Sequence, residues 1–378
     1  MRLCVVTSSF PANRADGRAT AGLFVRDFCV ALAAQGHKVT VVTPDFVGLK
    51  KEEVPGIAVR WYPRWGGQQG VGYLRPWRPL DVLAMISIFR RGRRMMEHLA
   101  ATEHFDHVMA MWAVPSGWLA AGLKRRFQIP FSVWCLGSDV WVYGRYPIMK
   151  GAVRKVIKAA DQVYADGIAL AEEVKRLSRR DCLFMPTSRL LDKSLVRPVY
   201  LEGHRPQFLF VGRYAPVKGV DILLDAMAKY RATGHAGHLT MFGGGPLEES
   251  VRERAARPDL ADCVTVNGYA EEATYVSHLV ACDCSIIPSR MESIPVVLSD
   301  AIHMGTPVIV SDVGDMGLLL RQVPAGLVVP PEDVDALCGA MVRFAEVGAS
   351  PFAEHITALS ARFDIARVAE EWVGRIQK

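Results

Sequence analysis

Short apolar runs alternate with segments of helical period along the whole chain, which is typical of parallel sheets covered by crossover helices. After the first strand, the pattern predicts a helix over residues 21–34 that ends at Gly36. The predicted strands of the first half cover residues 3–7, 38–43, 107–111, 131–135 and 162–165. Those of the second half cover residues 207–211, 239–242, 264–266, 285–287, 307–310 and 327–329.

The two halves are separated by residues 186–206, which contain three prolines and show no sustained period. At 378 residues the chain exceeds the length at which one hydrophobic core usually stops growing. We therefore expect two doubly wound α/β domains, over residues 1–190 and 200–360. Ligands of such sheets bind beyond the carboxyl ends of the strands, so the strand-to-helix turns are the first candidates for function.

Composition narrows the class of protein. Half of the residues are apolar, and the eight cysteines follow neither a disulfide framework nor a zinc spacing. The first residues read as a strand and a turn rather than a secretion signal, and no apolar run approaches the ~20 residues of a membrane span. We expect a cytoplasmic protein, either soluble or peripheral on the inner face of the membrane.

The stretch "FVGRYAPVKGVDILLDAM", residues 210–227, joins a strand end to a helix and contains two cations, Arg213 and Lys218. A helix N-terminus offers free N–H groups and about half a positive charge, so flanking cations favour a phosphate ligand. Two ordinary surface cations on a solvated loop are the alternative. The stretch by itself does not decide between them.

A second strand ends in three glycines, Gly243 to Gly245, before Pro246 opens a helix. Glycines at this place let the backbone approach a ligand closely, although they serve any tight turn equally well. The nicotinamide fingerprint needs a glycine where this sequence has Glu248, which argues against a dehydrogenase.

Two acids, Glu292 and Asp300, lie eight residues apart, one before a predicted helix and one about two turns into it. Carboxylates accept hydrogen bonds from sugar hydroxyls but repel phosphate. The alternative is that Glu292 is a helix N-terminal acid and that Asp300 faces solvent.

Together these motifs resemble the retaining, nucleotide-sugar-dependent glycosyltransferases of family 4 (glycosyl transferases group 1). The family pattern Gly-Arg-x4-Lys-Gly matches residues 212–219, its glycine-rich strand end matches 243–246, and its Glu-x7-Glu matches 292–300 with aspartate at the second acid. Two further patterns match residues 305–314 and 325–337, so five motifs occur in order. The resemblance covers nearly the whole chain.

The resemblance implies the GT-B fold, in which two Rossmann-like domains face each other across a cleft. It also implies that a final helix at about residues 364–378 returns to the N-terminal, acceptor-side domain. The C-terminal domain would bind the nucleotide sugar, and the domains would close on it.

The resemblance also implies roles for individual residues. Arg213 and Lys218 would hold the donor diphosphate, Glu292 would contact the transferred sugar, and Asp300 would contact the ribose. Further donor contacts are implied for Gly22, Gly212, Gly243, Gly244, Gly268, Tyr269, Ser293 and Ile294. Base recognition would fall near Gly268 and Tyr269.

The sequence departs from the family pattern at three places. Ala21 precedes Gly22 where many members have two glycines, and Leu136 stands where a histidine usually touches the reacting sugar. Asp139, which remains in that turn, is then the catalytic candidate of the first half. Asp300 is shorter than the usual glutamate by one methylene, roughly 1.5 Å of reach.

No cofactor is expected and no metal, because Arg213 and Lys218 would replace a metal ion at the diphosphate. The acid pair Asp333 and Asp335 has a metal-binding spacing, but it opens a predicted helix, where acids favour the dipole. The histidines of "HAGH", residues 235–238, have no further ligands in view.

The basic residues concentrate in residues 59–94, where eight arginines face one acid, a net charge of +7 against +6 for the whole chain. Aromatic residues are interleaved with them: Trp61, Tyr62, Trp65, Tyr73 and Trp77. This combination suits an anionic membrane surface. A crossover helix over residues 80–101 with a basic outer face is the alternative, and nucleic acid is not expected as a partner because no recognition motif is present.

The predicted function is transfer of a sugar from a nucleotide-diphosphate sugar to a glycan or lipid-linked acceptor in surface polysaccharide or glycolipid synthesis. The resemblance implies that the transfer is retaining and independent of metal. Two alternatives stay open: a nucleotide-sugar epimerase of similar architecture, and a non-catalytic protein of GT-B-like fold at the membrane surface.

Overall fold

A computed structural model describes residues 1–13, 22–45, 50–65, 74, 78–142, 144, 146–197, 199 and 205–378. The chain forms two compact units. Unit 1 consists of Met1–Arg189 together with Ile365–Lys378, and unit 2 consists of Leu190–Asp364.

Unit 1 is built on a parallel sheet. Its described strands are β1 (Arg2–Val6), β2 (Lys38–Pro44), β3 (Ile57–Tyr62), β4 (His107–Met111), β5 (Phe131–Cys135), β6 (Gln162–Ala165) and β7 (Leu183–Phe184). They lie in the order β3-β2-β1-β4-β5-β6-β7, and every neighbouring pair is parallel. Both β4 and β5 are buried along their full length, because a parallel sheet is covered on its two faces.

Helices cover the two faces of this sheet. They are α1 (Leu23–Ala34), α2 (Pro79–Glu103), α3 (Trp118–Phe127), α4 (Pro147–Ala159), α5 (Ile168–Ser178) and, from the end of the chain, α13 (Ile365–Ile376). One hydrophobic core lies under α2, α3, α4 and α5, and a second lies under α1 and α13. The helices α2 to α5 therefore form one continuous layer.

Unit 2 repeats this architecture. Its strands are β8 (Gln207–Val211), β9 (His238–Phe242), β10 (Val264–Asn267), β11 (Cys284–Ile287), β12 (Val308–Ser311) and β13 (Gly326–Val329). Its helices are α6 (Val220–Ala232), α7 (Glu248–Ala255), α8 (Glu272–Ala281), α9 (Val296–Met304), α10 (Met316–Gln322), α11 (Val334–Val347) and α12 (Ala353–Ser360). The strands lie in the order β10-β9-β8-β11-β12-β13, all parallel.

The predicted fold class of two doubly wound α/β units is confirmed, and the predicted strands lie within one residue of the observed ones. Two strands were not predicted, β3 and β7. At the sheet edge, β3 is only partly buried and contains Arg60, while β7 has two residues, so neither produces a sustained apolar run. Within the described residues, no helix combines the length and apolar character needed to cross a bilayer.

The C-terminal helix α13 packs against α1 and so belongs to unit 1. Trp372 is fully buried at its centre, 5.6 Å from the ring of Phe28, and its indole Nε1 donates to Ser132 Oγ at 3.2 Å. The same hydroxyl group lies 2.8 Å from Nε2 of His107 on β4. The last helix is thus held to the central strands by a buried polar chain.

His107 is almost completely buried, and this burial lowers its pKa from 6.5 to about 4. The unfolded chain therefore binds a proton that the folded chain does not bind between these two values. Stability is retained above pH 6.5 and is lost as the pH falls towards 4.

We predict that His107→Gln, which does not titrate, flattens this acid dependence. Between pH 7 and pH 5 the free energy of unfolding should fall by about 2 kcal/mol more in the wild type than in the variant. Tryptophan fluorescence during urea unfolding measures unit 1 selectively, because all eight tryptophans belong to it. The control is His98→Gln, which removes an exposed histidine of α2; an unchanged pH dependence in His107→Gln would contradict the assignment.

Candidate active site

The strand order of unit 2 reverses between β8 and β11. From β8 the chain proceeds outward to β9 and β10, and it then returns to place β11 on the other side of β8. Connections that diverge in this way open a crevice at the carboxyl ends of the two strands. Arg213 and Lys218 follow β8 and Glu292 follows β11, so the topology brings these three predicted residues to the same crevice.

Lys218 and Glu292 are in direct contact. The ammonium group of Lys218 donates a hydrogen bond to Glu292 Oε1, and the two side chains are 22% and 18% exposed. Lys218 ends a short turn that Gly219 joins to the first residue of α6. A cation and a carboxylate are therefore held together at a helix N-terminus, and both remain accessible to a ligand.

Arg213 follows directly after the end of β8. Its side chain is exposed, and it forms no ion pair with any residue that the structure describes. In contrast to Lys218, Arg213 has no carboxylate partner among the described residues, so it is available to an anionic ligand.

The carboxyl ends of β8, β9 and β10 are held close by backbone hydrogen bonds. The N–H of Gly212 donates to Phe242 O at 3.0 Å, and the N–H of Gly243 donates to Gly268 O at 3.1 Å. A Cβ atom on Gly243 would lie 1.9 Å from the Gly212 carbonyl oxygen. Glycine is therefore required at residue 243 because two backbones approach each other there.

Tyr269 and Gly268 border this glycine turn. The hydroxyl of Tyr269 donates to Gly244 O at 3.1 Å, while the residue is 73% exposed. A Cβ atom on Gly268 would meet nothing within 4 Å. An exposed aromatic ring beside open backbone provides a surface on which a planar group can stack.

Asp300 lies below the surface rather than at it. The residue is fully buried on α9, and its Oδ2 accepts a hydrogen bond from the hydroxyl of Tyr275 at 2.7 Å. Ser293 and Ile294, which follow Glu292, are also buried. This part of the loop therefore offers a ligand mainly its backbone and the Glu292 carboxylate.

Gly314, in the turn after β12, supports the backbone of Glu292. Its φ is +55°, and a Cβ atom there would lie 2.1 Å from Glu292 O and 2.6 Å from Ser293 O. The N–H of the next residue, Asp315, donates to Ser293 O at 3.2 Å. Gly314 belongs to the family pattern at residues 305–314, and its backbone lies against that of the catalytic candidate Glu292.

Arg290 ties the Glu292 loop to the Lys218 turn. Its guanidinium donates to both carboxylate oxygens of Asp221, at 2.9 and 2.7 Å, and to Glu332 at 2.7 Å. It also donates to Pro216 O at 2.5 Å, and its backbone N–H donates to Val217 O at 2.8 Å. Five hydrogen bonds thus connect the β11 loop with the turn that follows β8, with the first turn of α6 and with Glu332 in the loop after β13.

The Arg290 guanidinium lowers the pKa of Asp221, and the two carboxylates raise the pKa of Arg290. The clamp is therefore fully ionised at neutral pH. Sequence reasoning missed it, because Asp221 lies 69 residues before Arg290 and no local pattern relates them.

In unit 1, Asp139 is fully buried and not open to a substrate. Its carboxylate accepts hydrogen bonds from the N–H of Ala113 at 2.7 Å and from that of Leu136 at 3.2 Å. Burial raises its pKa to about 6. Trp112, which precedes Ala113 at the end of β4, has a φ of +67°, a strained value for tryptophan. Because Asp139 bonds the backbone just after β4 and just after β5, it holds the ends of these two strands in place.

Gly22 caps the N-terminus of α1, and a Cβ atom there would lie 2.8 Å from Ser9 O. The close approach joins α1 to the loop after β1. Ala21, which precedes Gly22 in the sequence, lies outside the described residues.

The acids and histidines whose spacing resembles a metal site have other partners in the structure. Asp333 caps α11 by accepting from the N–H of Ala336 at 2.8 Å, and Asp335 pairs with Lys229. His238 Nε2 lies 2.9 Å from the Thr265 hydroxyl. Among the residues that the structure describes, no three His, Cys, Asp or Glu side chains are arranged to hold a metal ion.

Comparison with known families identifies both units. Residues 21–182 match the family described as Glycosyltransferase Family 4, and residues 205–346 match Glycosyl transferases group 1. The chain belongs to this family and is a glycosyltransferase of the GT-B fold.

Relatives and a solved structure agree with this assignment. The chain is 26% identical to a glycosyltransferase provisionally assigned to teichuronic acid biosynthesis in Bacillus subtilis, over 91% of this chain and 89% of that protein. It is 29% identical to a GDP-mannose-dependent alpha-(1-6)-phosphatidylinositol monomannoside mannosyltransferase of Mycobacterium tuberculosis, over 90% and 88%. The sucrose-phosphate synthase of Thermosynechococcus elongatus has a similar fold, with a TM-score of 0.80, 21% identity, and coverage of 100% and 98%.

We predict that Arg290→Ala lowers turnover far more than it lowers stability. Loss of the clamp lets the Lys218 turn and the Glu292 loop separate, and a shift of about 1 Å can cost roughly a hundredfold in rate. The ion pairs themselves are partly exposed and should contribute only about 1 kcal/mol to stability. Donor turnover and the melting temperature would be measured together.

The matched control is Arg254→Ala on α7, because Arg254 also bonds two carboxylates, those of Asp225 and Asp259. It should lose similar stability and keep its activity. Equal activity in the two variants would show that Arg290 has no positioning role.

Proposed function

We propose that the protein transfers a sugar from a nucleotide-diphosphate sugar to a glycan or lipid-linked acceptor in surface polysaccharide or glycolipid synthesis. The transfer retains the anomeric configuration and needs no metal ion. The observation that carries the proposal is the contact between the Lys218 ammonium and the Glu292 carboxylate in the crevice between β8 and β11.

This contact suits the chemistry of the donor. In a nucleotide sugar the sugar ring is bonded directly to a phosphate, so a cation for the phosphate and a carboxylate for the sugar hydroxyls must be neighbours. Lys218 and Glu292 meet this requirement, and Arg213 supplies a second cation that pairs with no carboxylate in the described part of the chain. Gly268 leaves room for the donor along its backbone, with Tyr269 beside the base, while Gly243 lets the ends of β8 and β9 approach each other.

Negative charge develops on the departing diphosphate during transfer. Cations that are already fixed in place stabilise this charge more in the transition state than in the ground state, and this difference accelerates the reaction. The leaving phosphate oxygen takes the proton of the acceptor hydroxyl, so no strong side-chain base is required. Arg213 and Lys218 fill the place that a metal ion would otherwise take.

Two acids receive roles different from those that the family resemblance implies. Asp139 acts through the β4 and β5 loops that it holds and is therefore a positioning residue rather than a catalytic one. Asp300 is buried against Tyr275, so the ribose is held by backbone groups of the Glu292 loop instead of by this carboxylate.

Two relatives support the acceptor class. One is provisionally assigned to teichuronic acid biosynthesis, and the other is a mannosyltransferase that acts on phosphatidylinositol monomannoside. All eight cysteines of the present chain are free thiols, which agrees with a reducing cytoplasm as the place of the reaction.

We predict that Lys218→Ala lowers donor turnover by about two orders of magnitude or more, because one of the cations facing the leaving diphosphate is lost. Release of nucleoside diphosphate from UDP-, GDP- and ADP-sugars would be measured. Nucleoside diphosphates should also raise the melting temperature of the wild type, and less so that of the variant.

The control is Lys229→Ala, which removes a lysine that pairs with Asp335 on the outer surface of the same unit. It should keep wild-type turnover. A near-wild-type rate in Lys218→Ala would refute the diphosphate role, and conversion of the donor sugar without release of diphosphate would instead identify an epimerase.

A further inference from the structure

The exposed large apolar side chains of unit 1 are not scattered. Of the nine in its described residues, eight lie in strand-to-helix connections or in the first turns of α2, α3 and α4. They are Trp65, Leu80, Leu83, Ile86, Trp118, Val142, Tyr146 and Ile148, with Ile148 the most exposed at 88%. Leu183 is the exception.

The topology gathers these residues along one edge. Crossover helices run antiparallel to the strands they follow, so the first turns of α2, α3 and α4 all lie at the carboxyl edge of the sheet. The helix α3 packs between α2 and α4. Two of them also contact α2 directly: the Trp65 N–H donates to Ser87 on α2 at 3.0 Å, and the ring of Trp118 on α3 lies 5.0 Å from that of Phe89 on α2.

The same three helices are strongly cationic. Together they contain eleven lysines and arginines and only three acids, a net charge of +8, which exceeds the +6 of the whole chain. In α2 and α3 the cations follow the apolar first turns, whereas in α4 they extend from Lys150 in the first turn to Lys158 near the C-terminal end. They are Arg90, Arg91, Arg93, Arg94, Lys124, Arg125, Arg126, Lys150, Arg154, Lys155 and Lys158.

This surface overlaps the basic segment of residues 59–94 only in part, because it shares Trp65 and the first half of α2 with that segment but also includes α3 and α4. Within residues 59–94, Arg60 pairs with Glu103, Arg64 is buried, and Arg93 pairs with Glu97. Three aromatic or basic members of that segment lie outside the described residues: Tyr73, Arg75 and Trp77.

The strongest unneutralised charge lies instead on α4. Its four cations are exposed, the helix has no acid, and among the described residues none of the four has an ion-pair partner. Three arginines of α2 are also exposed and have no ion-pair partner among the described residues: Arg90, Arg91 and Arg94.

A surface cavity of about 310 Å³ lies between α2 and α3. Trp118, Arg93, Arg125 and Arg126 line it, together with Glu97, which pairs with both Arg93 and Arg126. The cavity therefore combines an aromatic wall with excess positive charge.

We propose that the outer face of α2, α3 and α4 docks on an anionic lipid bilayer. The apolar edge enters the boundary between headgroups and acyl chains, while the rows of lysine and arginine contact anionic headgroups. A bilayer explains both features, since a nucleic acid backbone would match the cations but leave eight exposed apolar side chains without a partner. The carboxyl edge of the unit 1 sheet is then held at the lipid surface.

The test is flotation of the full-length protein with vesicles of phosphatidylglycerol and phosphatidylcholine in equal amounts, at low salt. Arg154→Glu with Lys155→Glu should weaken binding by at least about tenfold, because each cation near an anionic surface contributes about 1 kcal/mol. Leu83→Ser with Ile148→Ser should also weaken it by about tenfold or more, since two apolar side chains no longer leave water.

The matched control is Arg257→Glu with Arg343→Glu, which makes the same change in net charge at exposed arginines of unit 2. It should bind as the wild type does, and vesicles of pure phosphatidylcholine should bind the protein weakly. Brominated lipids should quench part of the tryptophan fluorescence, and less of it in Trp118→Phe.

Absence of binding to the anionic vesicles, or an equal loss in both charge-reversal variants, would overturn the proposal. Salt-sensitive binding of duplex DNA by a protein that ignores vesicles would overturn it in favour of nucleic acid. Vesicle binding needs no donor or turnover, so its failure would leave the proposed transferase activity untouched.

Discussion

The reversal of strand order between β8 and β11 is the constraint on which the candidate active site depends. It places the ends of two connections side by side, so that a lysine from one meets a glutamate from the other. The cation can then face the phosphate of a nucleotide sugar while the carboxylate faces the sugar that is bonded to it. Arg290 supports this arrangement through its ion pair with Asp221. Gly314 supports it through a close contact with the backbone of Glu292 that a side chain would prevent.

The same rule of connection shapes the surface of unit 1. Because every crossover helix begins at the carboxyl edge, its first turn shares that edge with the loops that carry function. Apolar first turns are followed by cationic later turns in α2 and α3, and in α4 the exposed Ile148 precedes four cations. A net charge that is mild for the whole chain is therefore concentrated on one layer of helices.

Local signals predicted much of the molecule. The strands were located from apolar runs, and Arg213, Lys218 and Glu292 were found because each lies in a turn between a strand and a helix. The roles of Asp139 and Asp300 were implied by the family resemblance, and the structure shows that both are fully buried and bonded to other groups of the protein. The exposure of a side chain depends on how distant elements pack around it, so it cannot be predicted from the neighbouring residues in the sequence.

The sequence by itself determined the two doubly wound units and the turns where cations and acids stand, because hydrophobic period and turn chemistry are properties of neighbouring residues. Only the tertiary structure decided which of these groups meet: Lys218 reaches Glu292 across 74 residues, and Arg290 reaches Asp221 across 69. It also decided which arginines pair with a carboxylate and which, on α2 and α4, have no ion-pair partner within the described part of the chain. Ion pairing and burial are set by side chains that folding brings together from remote parts of the chain.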